Sequence, residues 1–444
     1  MKITKPQGAA FLWDESFLWG LMAFKALKGQ GLPFELIRAE DIKAGKLDRY
    51  KMLFVPGGWA SNKSRALEET GLAVIRDFVA KGGSYLGFCG GAGLATKTKG
   101  GIGLLNVKRR PTKERVPSFS GEIELNLKSH PIWKTAGENH NQRTTDDGRR
   151  STVFHAWWPS QLIVEDNDVE VLATYGNALS DSFSSDLNVG DVELNGDWAA
   201  LENIYKINLD PERLLNEPSV IEGTYGKGKV VLSLVHFDTP DDLNGQQVLL
   251  NLWEYLANER SGARDQVREV RTPAPSPLTG EGWGGGESLS SDLYSLCTGL
   301  ISLGERNFLW FRRNSMLFQW RRGVRGLEYN TLYIMMKEIA EIIGDGDEEQ
   351  RAPRKASQRA RQNMNGRLEK IKDLLVPFAG KAKRLLVLER HAMQRGHITY
   401  EKCDDTEIQE IRFELFSNSK SHGGLFKELL DEMDKLLFEL INRN

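Results

Sequence analysis

The chain has 444 residues, room for two or three ordinary domains, and its 40% hydrophobic and 27% charged content is that of a globular protein in water. Lys plus Arg number 59 against 61 Asp plus Glu, and this near balance excludes a general pull toward nucleic acid. Three cysteines far apart, Cys89, Cys297 and Cys403, suggest neither a disulfide framework nor a zinc cluster, so no metal and no cofactor are expected. No apolar run reaches the roughly 18 residues of a membrane span, and Met1 to Ala10 lacks the apolar core of a secretion signal. The expected location is cytoplasmic and reducing.

Ala9 to Trp13 reads as a first buried strand, and Asp14 or Ser16 is placed to cap a helix with Phe17, Leu18, Leu21, Met22 and Leu27 as its apolar stripe. Phe34 to Ile37 and Met52 to Val55 are further strands, the latter ending in Pro56-Gly57-Gly58-Trp59. Leu67 to Ala80 is an amphipathic helix closed by Lys81-Gly82-Gly83 in the manner of a glycine cap. Strands alternating with helices predict a parallel sheet covered on both faces, with reactive groups gathered beyond the strands' carboxyl ends.

The next stretch, Gly82 to Ala95, organises the rest. Tyr85 to Phe88 is a short apolar strand, Cys89 sits among small residues, and a helix can start directly after it. Gly87-x-Cys89-x-Gly91 is the cysteine form of a nucleophile elbow, where glycines let backbones pack around a strained turn. A sulfur at a helix N-terminus meets free N–H groups, which favours thiolate. A buried structural thiol is the other reading of the same residues.

From Leu105 to Ile163 the pattern changes. Glu122 to Leu127 alternates with period two, as an exposed edge strand does, His130 to Trp133 reads as a loop, and Gly137 to Arg150 as a polar excursion. Phe154-His155-Ala156-Trp157-Trp158 either lines a pocket or packs beneath a loop. Val169 to Tyr175 and Ser219 to Tyr225 read as strands, and Tyr225 to Lys229 as a hairpin turn into Val230 to Val235. His236 then stands at a strand end, where a base for Cys89 belongs, and Asp238 is placed to hold its tautomer. A helix follows from about Leu243 to Asn258.

Residues 260–290 are rich in Pro and Gly and read as a linker, between a domain over 1–259 and another over 291–444. In the latter, apolar residues recur at helical spacing, from Leu332 to Ile343, Leu368 to Leu375 and Leu425 to Leu437, which predicts an all-α bundle of four or five helices. Phe308 to Arg325, with Trp310, Phe311, Phe318 and Trp320 among arginines, reads as a bundle helix. Gly344 to Glu349 reads as a loop without the spacing of a calcium site, and Arg351 to Arg367 as a basic solvated connector. This half offers a surface for a protein partner.

Pro56-Gly57-Gly58, Gly87-Phe88-Cys89-Gly90-Gly91-Ala92, Tyr225 to Ser233 and His236-x-Asp238, in that order, resemble the class I glutamine-amidotransferase-like fold of flavodoxin-like α/β architecture. The nearest likeness is the N-terminal domain family of biotin–protein ligases, over residues 8–258. The resemblance implies Cys89 as nucleophile, His236 as general base and Asp238 in the place of a usual glutamate. It also implies an oxyanion hole from N–H groups near Gly58 and Gly90. Gly57, Trp59 and Trp157 are the candidate substrate contacts. Such families carry a glutamine four residues after the cysteine; here that position is Gly93, which puts free glutamine in doubt as substrate. Arg321-Arg322-Gly323-Val324-Arg325-Gly326 echoes a biotinyl-adenylate loop without its flanking strands. Two expectations follow: a cysteine hydrolase for a small-molecule or peptide amide or related C–N bond, or a non-catalytic binding module of the same fold.

Overall fold

The computed structural model describes residues 8–136, 143–144, 150–257, 285–344, 358–395, 398–399, 403–418 and 421–442. The chain divides into two compact units, Met1–Asp265 and Gln266–Asn444.

In the first unit β1 (Ala9–Leu12), α1 (Phe17–Gly29), β2 (Phe34–Ile37), β3 (Met52–Val55), α2 (Ala60–Ala80), β4 (Ser84–Phe88) and α3 (Gly90–Ala95) follow one another. β1 and β3 are short, fully buried apolar runs, as strands covered on both faces require, whereas β2 carries the exposed Glu35. β5 (Val107–Arg109) pairs antiparallel with β8 (Leu162–Val164) in a separate ribbon. Between and beyond them lie β6 (Phe119–Leu127), β7 (Arg150–Trp157), β9 (Glu170–Ala178), β10 (Pro218–Tyr225), β11 (Gly228–Ser233) and α4 (Leu243–Ala257).

Among the described residues these strands form one mixed sheet, in the order β7-β6-β9-β10-β11-β4-β3-β1-β2. The pairs from β11 to β2 are parallel and those from β7 to β11 antiparallel. With its helices the sheet makes an α/β unit. On one face Phe54 of β3 meets Phe88, Phe11 and, from α4, Trp253, all fully buried. Each such side chain contributes about 1.5–3 kcal/mol of burial, which anchors the carboxyl ends of β3 and β4.

Three local readings change. α2 begins at Ala60 and is broken at Glu68, whose φ of 55° and ψ of 178° are not helical, so the stripe from Leu67 marks its second segment. β6 is an interior strand, paired by β7 and β9, because the aromatic stretch beside it is itself a strand. His130 to Trp133 ends in a turn of 3-10 helix, Pro131–Trp133. The polar excursion lies outside the described residues except at 143–144 and 150.

The second unit contains α5 (Gly285–Arg306), β12 (Trp310–Arg312), β13 (Phe318–Trp320), α6 (Gly326–Gly344), α7 (Gln358–Arg395), α8 (Thr406–Phe416) and α9 (Gly424–Ile441). α5 starts inside the expected linker, at Gly285; the rest of that segment lies outside the described residues. Leu332, Met335, Met336 and Ile339 of α6 are buried, as their spacing predicts. The expected helix over Phe308 to Arg325 is instead a β-hairpin, with Trp310 opposite Trp320. Asn314 makes its turn by accepting hydrogen bonds from the N–H groups of Met316 and Leu317, at 2.9 and 2.8 Å.

The arginine- and glycine-rich run after it is a structural joint. Arg325 pairs with Glu328 at 3.1 Å in the core, and the Gly323 carbonyl accepts from Arg412, which also holds Glu389 at 2.7 Å. The expected loop after Gly344 and residues 351–357 of the basic connector lie outside the described residues. The rest of that connector, from Gln358 to Arg367, is instead the start of α7, where Arg367 pairs with Glu439 of α9. No helix among the described residues is long and apolar enough to cross a membrane.

Candidate active site

β3, β4 and β11 are adjacent and parallel, with Val55 beside Gly87 and Phe88 beside Ser233. Gly57, Cys89 and His236 therefore leave the same sheet edge within a few residues of their strands' ends. Their meeting is a consequence of register.

Cys89 is half-buried and carries φ 46° and ψ −100°, a conformation that costs a non-glycine residue about 1–3 kcal/mol. Two hydrogen bonds hold it: its N–H donates to the Ser233 carbonyl at 2.8 Å, and its carbonyl accepts from Gly93 N–H at 2.9 Å. The glycines around it are there for space. A Cβ on Gly90 would lie 1.8 Å from the Gly58 carbonyl oxygen, and one on Gly91 2.0 Å from that of Val55. Gly58, at φ 110°, is the backbone against which Gly90 packs, so the two expected oxyanion donors belong to touching segments. α3 has only six residues, so its contribution at the sulfur is that of the free N–H groups of one turn rather than a long dipole.

His236 is fully buried. Its Nδ1 and Asp238 Oδ1 are 3.0 Å apart, and Asp238 is buried with it. The His236 N–H donates to the His155 carbonyl at 2.9 Å, and its own carbonyl accepts from both the N–H and the hydroxyl of Thr239. Trp19 lies over the imidazole with ring centroids 4.8 Å apart, and a Cβ on Gly57 would lie 3.0 Å from its Cε1. The ring is thus fixed at one nitrogen, one face and one edge. Burial disfavours the imidazolium, but the Asp238 carboxylate and then the Cys89 sulfur outweigh it and raise the pKa well above the ordinary histidine value. The other nitrogen, Nε2, makes no hydrogen bond of normal geometry. The Cys89 side chain is within both hydrogen-bonding and charge reach of the imidazole, at a geometry looser than that of a well-formed bond.

The expected substrate contacts fare differently. Gly57 lies at the imidazole edge, and Trp59 is exposed at the start of α2. Trp157 is only 2% exposed and donates its indole N–H to Thr239, so it supports the turn after His236 from below. Phe154 packs in the core against Trp133 and Phe237. Trp158, at φ 51°, turns the chain to meet Trp19 edge-on.

Sequence reasoning missed several neighbours of the sulfur. Arg109, at the end of β5, lies within electrostatic reach of Cys89, as does the buried Tyr175 of β9. Arg109 and the buried Arg115 both donate to the Ser160 hydroxyl, the latter at 3.3 Å. The signal was the dibasic pair itself: successive strand residues face opposite ways, so Arg109 and Arg110 had to part. Arg110 takes Glu217 as a bidentate partner at 2.8 and 2.9 Å, while Arg109 turns to Ser160.

Residues 47–99 match the family model for the N-terminal domain of biotin-protein ligase. The matched stretch runs from before β3 through Gly57, Gly58, Cys89 and α3, and ends short of Arg109 and His236. Among solved structures, a glutamine amidotransferase is similar at 18% identity and a TM-score of 0.34, covering 56% of this chain and 99% of its own. A candidate GMP synthase subunit from Thermoplasma acidophilum is similar at 13% identity and a TM-score of 0.36, over 57% of this chain and 96% of its own. A β-galactosidase from Bacillus circulans sp. alkalophilus follows at 14% identity and a TM-score of 0.33, over 57% of this chain and 32% of its own. No curated protein matches.

Proposed function

We propose that the first unit is a cysteine hydrolase acting on an amide or related C–N bond. The observation that carries this reading is a strained Cys89 at the sheet's carboxyl edge beside a buried, Asp238-paired His236. In this reading the thiol proton passes to His236 as the sulfur attacks, and the raised pKa of the ring suits it to be the acid of the first half-reaction. The thiolate forms a C–S bond at the carbonyl carbon, and the displaced electron pair moves to oxygen, where N–H groups near Gly58 and Gly90 receive it. As the C–N bond breaks, His236 protonates the leaving amine. Neutral His236 then takes a proton from water, which attacks the thioester, and the acid leaves with the sulfur regenerated.

Free glutamine is not the substrate in this reading. Gly93 supplies no side chain, and a Cβ there would meet only Ala60, at 3.6 Å. Positioning of the amino-acid end supplies several kcal/mol in such reactions, roughly 7–11 at best, and that grip is absent from this position. A second reading, a binding module without turnover, draws on a ring sealed from solvent whose Nε2 meets no partner at normal hydrogen-bond geometry.

The test is ammonia or amine release from a panel of primary amides, peptides and glutamine, with Cys89→Ser as the blank. The expected result is turnover of at least one non-glutamine amide, reduced about 1000-fold or more in the variant. No turnover across the panel would favour the binding module. Turnover of glutamine at several per second, abolished by Cys89→Ser, would overturn the substrate assignment.

A further inference from the structure

Arg109 and Arg115 are two guanidinium groups converging on one hydroxyl, that of Ser160. Neither has a carboxylate within ion-pair distance among the described residues, although Arg110 beside them holds Glu217 tightly. Arg115 is 9% exposed and its Nε donor is buried without a partner, while its Nη2 donates to Thr112 at 2.7 Å. Burying a cation without an acid is expensive, and a second cation beside it raises that cost. Burial, and then the like charge of Arg109, push the Arg115 guanidinium down to about 10. Arg109 is exposed; the protein around it lowers its guanidinium pKa from the ordinary range, and the charge of the Cys89 sulfur acts against that lowering. The buried Tyr175 hydroxyl, also without a partner, lies near the same sulfur.

The topology fixes this juxtaposition. The segment after α3 is tied to it by hydrogen bonds from Leu104 to the Ala95 carbonyl and from Lys97 to that of Val107, so β5 carries Arg109 back alongside the elbow. The antiparallel pairing of Arg109 with Leu162, and of Arg110 N–H with the Gln161 carbonyl, brings Ser160 to the strand's end.

We infer that Arg109 and Arg115, with Ser160 between them, form an anion subsite beside Cys89, so that the substrate is an amide whose other end is anionic. Planar guanidinium pairs suit the oxygens of a carboxylate or a phosphate, and either would supply the charge the site lacks. This deepens the hydrolase reading and rests on it for the word substrate; the anion subsite itself does not need turnover. A half-amide of a dicarboxylic acid, such as glutaramate, has the right ends without the α-amino group of glutamine.

The test compares alkylation of Cys89 in the full-length protein by iodoacetate, an anion, and by neutral iodoacetamide, each measured against free cysteine. The subsite should raise the iodoacetate-to-iodoacetamide rate ratio about tenfold over free cysteine. Arg109→Gln should return it to the free value, and Arg109→Lys should keep most of it. Arg109 is the residue to change first because it is exposed, whereas Arg115→Gln risks the fold. Protection by glutarate exceeding that by inorganic phosphate assigns a carboxylate, and the reverse a phosphate ester. Calorimetric titration of Cys89→Ser with glutaramate and inorganic phosphate needs no reactive thiol, and binding should weaken about tenfold in the added Arg109→Gln change. An unchanged alkylation ratio together with no binding of either probe would overturn the subsite. Anion binding without amide turnover would sink the hydrolase reading and leave the subsite standing.

Discussion

At the scale of residues, the site is a set of polar groups held by backbone. His236 illustrates it: the His155 carbonyl and Thr239 fix its main chain, Trp19 and Gly57 its ring. The sign of its titration is predictable. Its folded-state pKa is raised from 6.5 to about 10, so its contribution to stability is complete below about pH 6.5 and is lost as pH climbs toward 10. Thermal unfolding of the wild type should show falling stability through that window, and His236→Gln should flatten the slope. Parallel slopes in the two proteins would remove the ion pair from the account. Cys89, His236 and Asp238 were legible in the sequence because each occupies a special place, a glycine-flanked turn or a strand end. Arg109, Arg115 and Ser160 were not, because their meeting depends on a three-residue ribbon too short to show any period.

At the scale of elements, β1, β2, β3, β4 and α4 fall where the sequence places them, since buried parallel strands are plain apolar runs and α4 has a clear stripe. The failures share a cause. β12 and β13 have three residues each, and their aromatics and arginines satisfy helical and strand periods equally well. β6 looked like an edge because only its own alternation was visible, while its partner β7 was hidden in an aromatic cluster. The glycine turn gives a sharp prediction. Gly91→Ala, facing the Val55 carbonyl, should cost about 2 kcal/mol or more, because backbone has to move. Gly93→Ala, with open contact only to Ala60, should be neutral or stabilising by about 1 kcal/mol, the helix preference of alanine over glycine. Equal melting temperatures for the two variants would contradict the close approach described for the elbow.

At the scale of the whole molecule, two compact units carry unlike architectures, a mixed sheet with helices and a helical bundle with one hairpin. The candidate chemistry belongs to the first; the second keeps its buried charges, Arg412 with Glu389 and Arg325 with Glu328, in its own core. Its three cysteines make the chain its own control. Cys297 is buried in α5, and that burial pushes its thiol well above the ordinary range, whereas Cys89 stands half-open beside an imidazole. The central claim is that Cys89 is a nucleophile partnered by His236. The direct measurement is the rate of iodoacetamide labelling at each cysteine of the intact protein near neutral pH, read by peptide mass, in wild type and His236→Ala. Cys89 should react about tenfold faster than Cys403 and far faster than Cys297, and lose that advantage in the variant. Equal rates at Cys89 and Cys403, or a Cys89 rate indifferent to His236, would contradict the account.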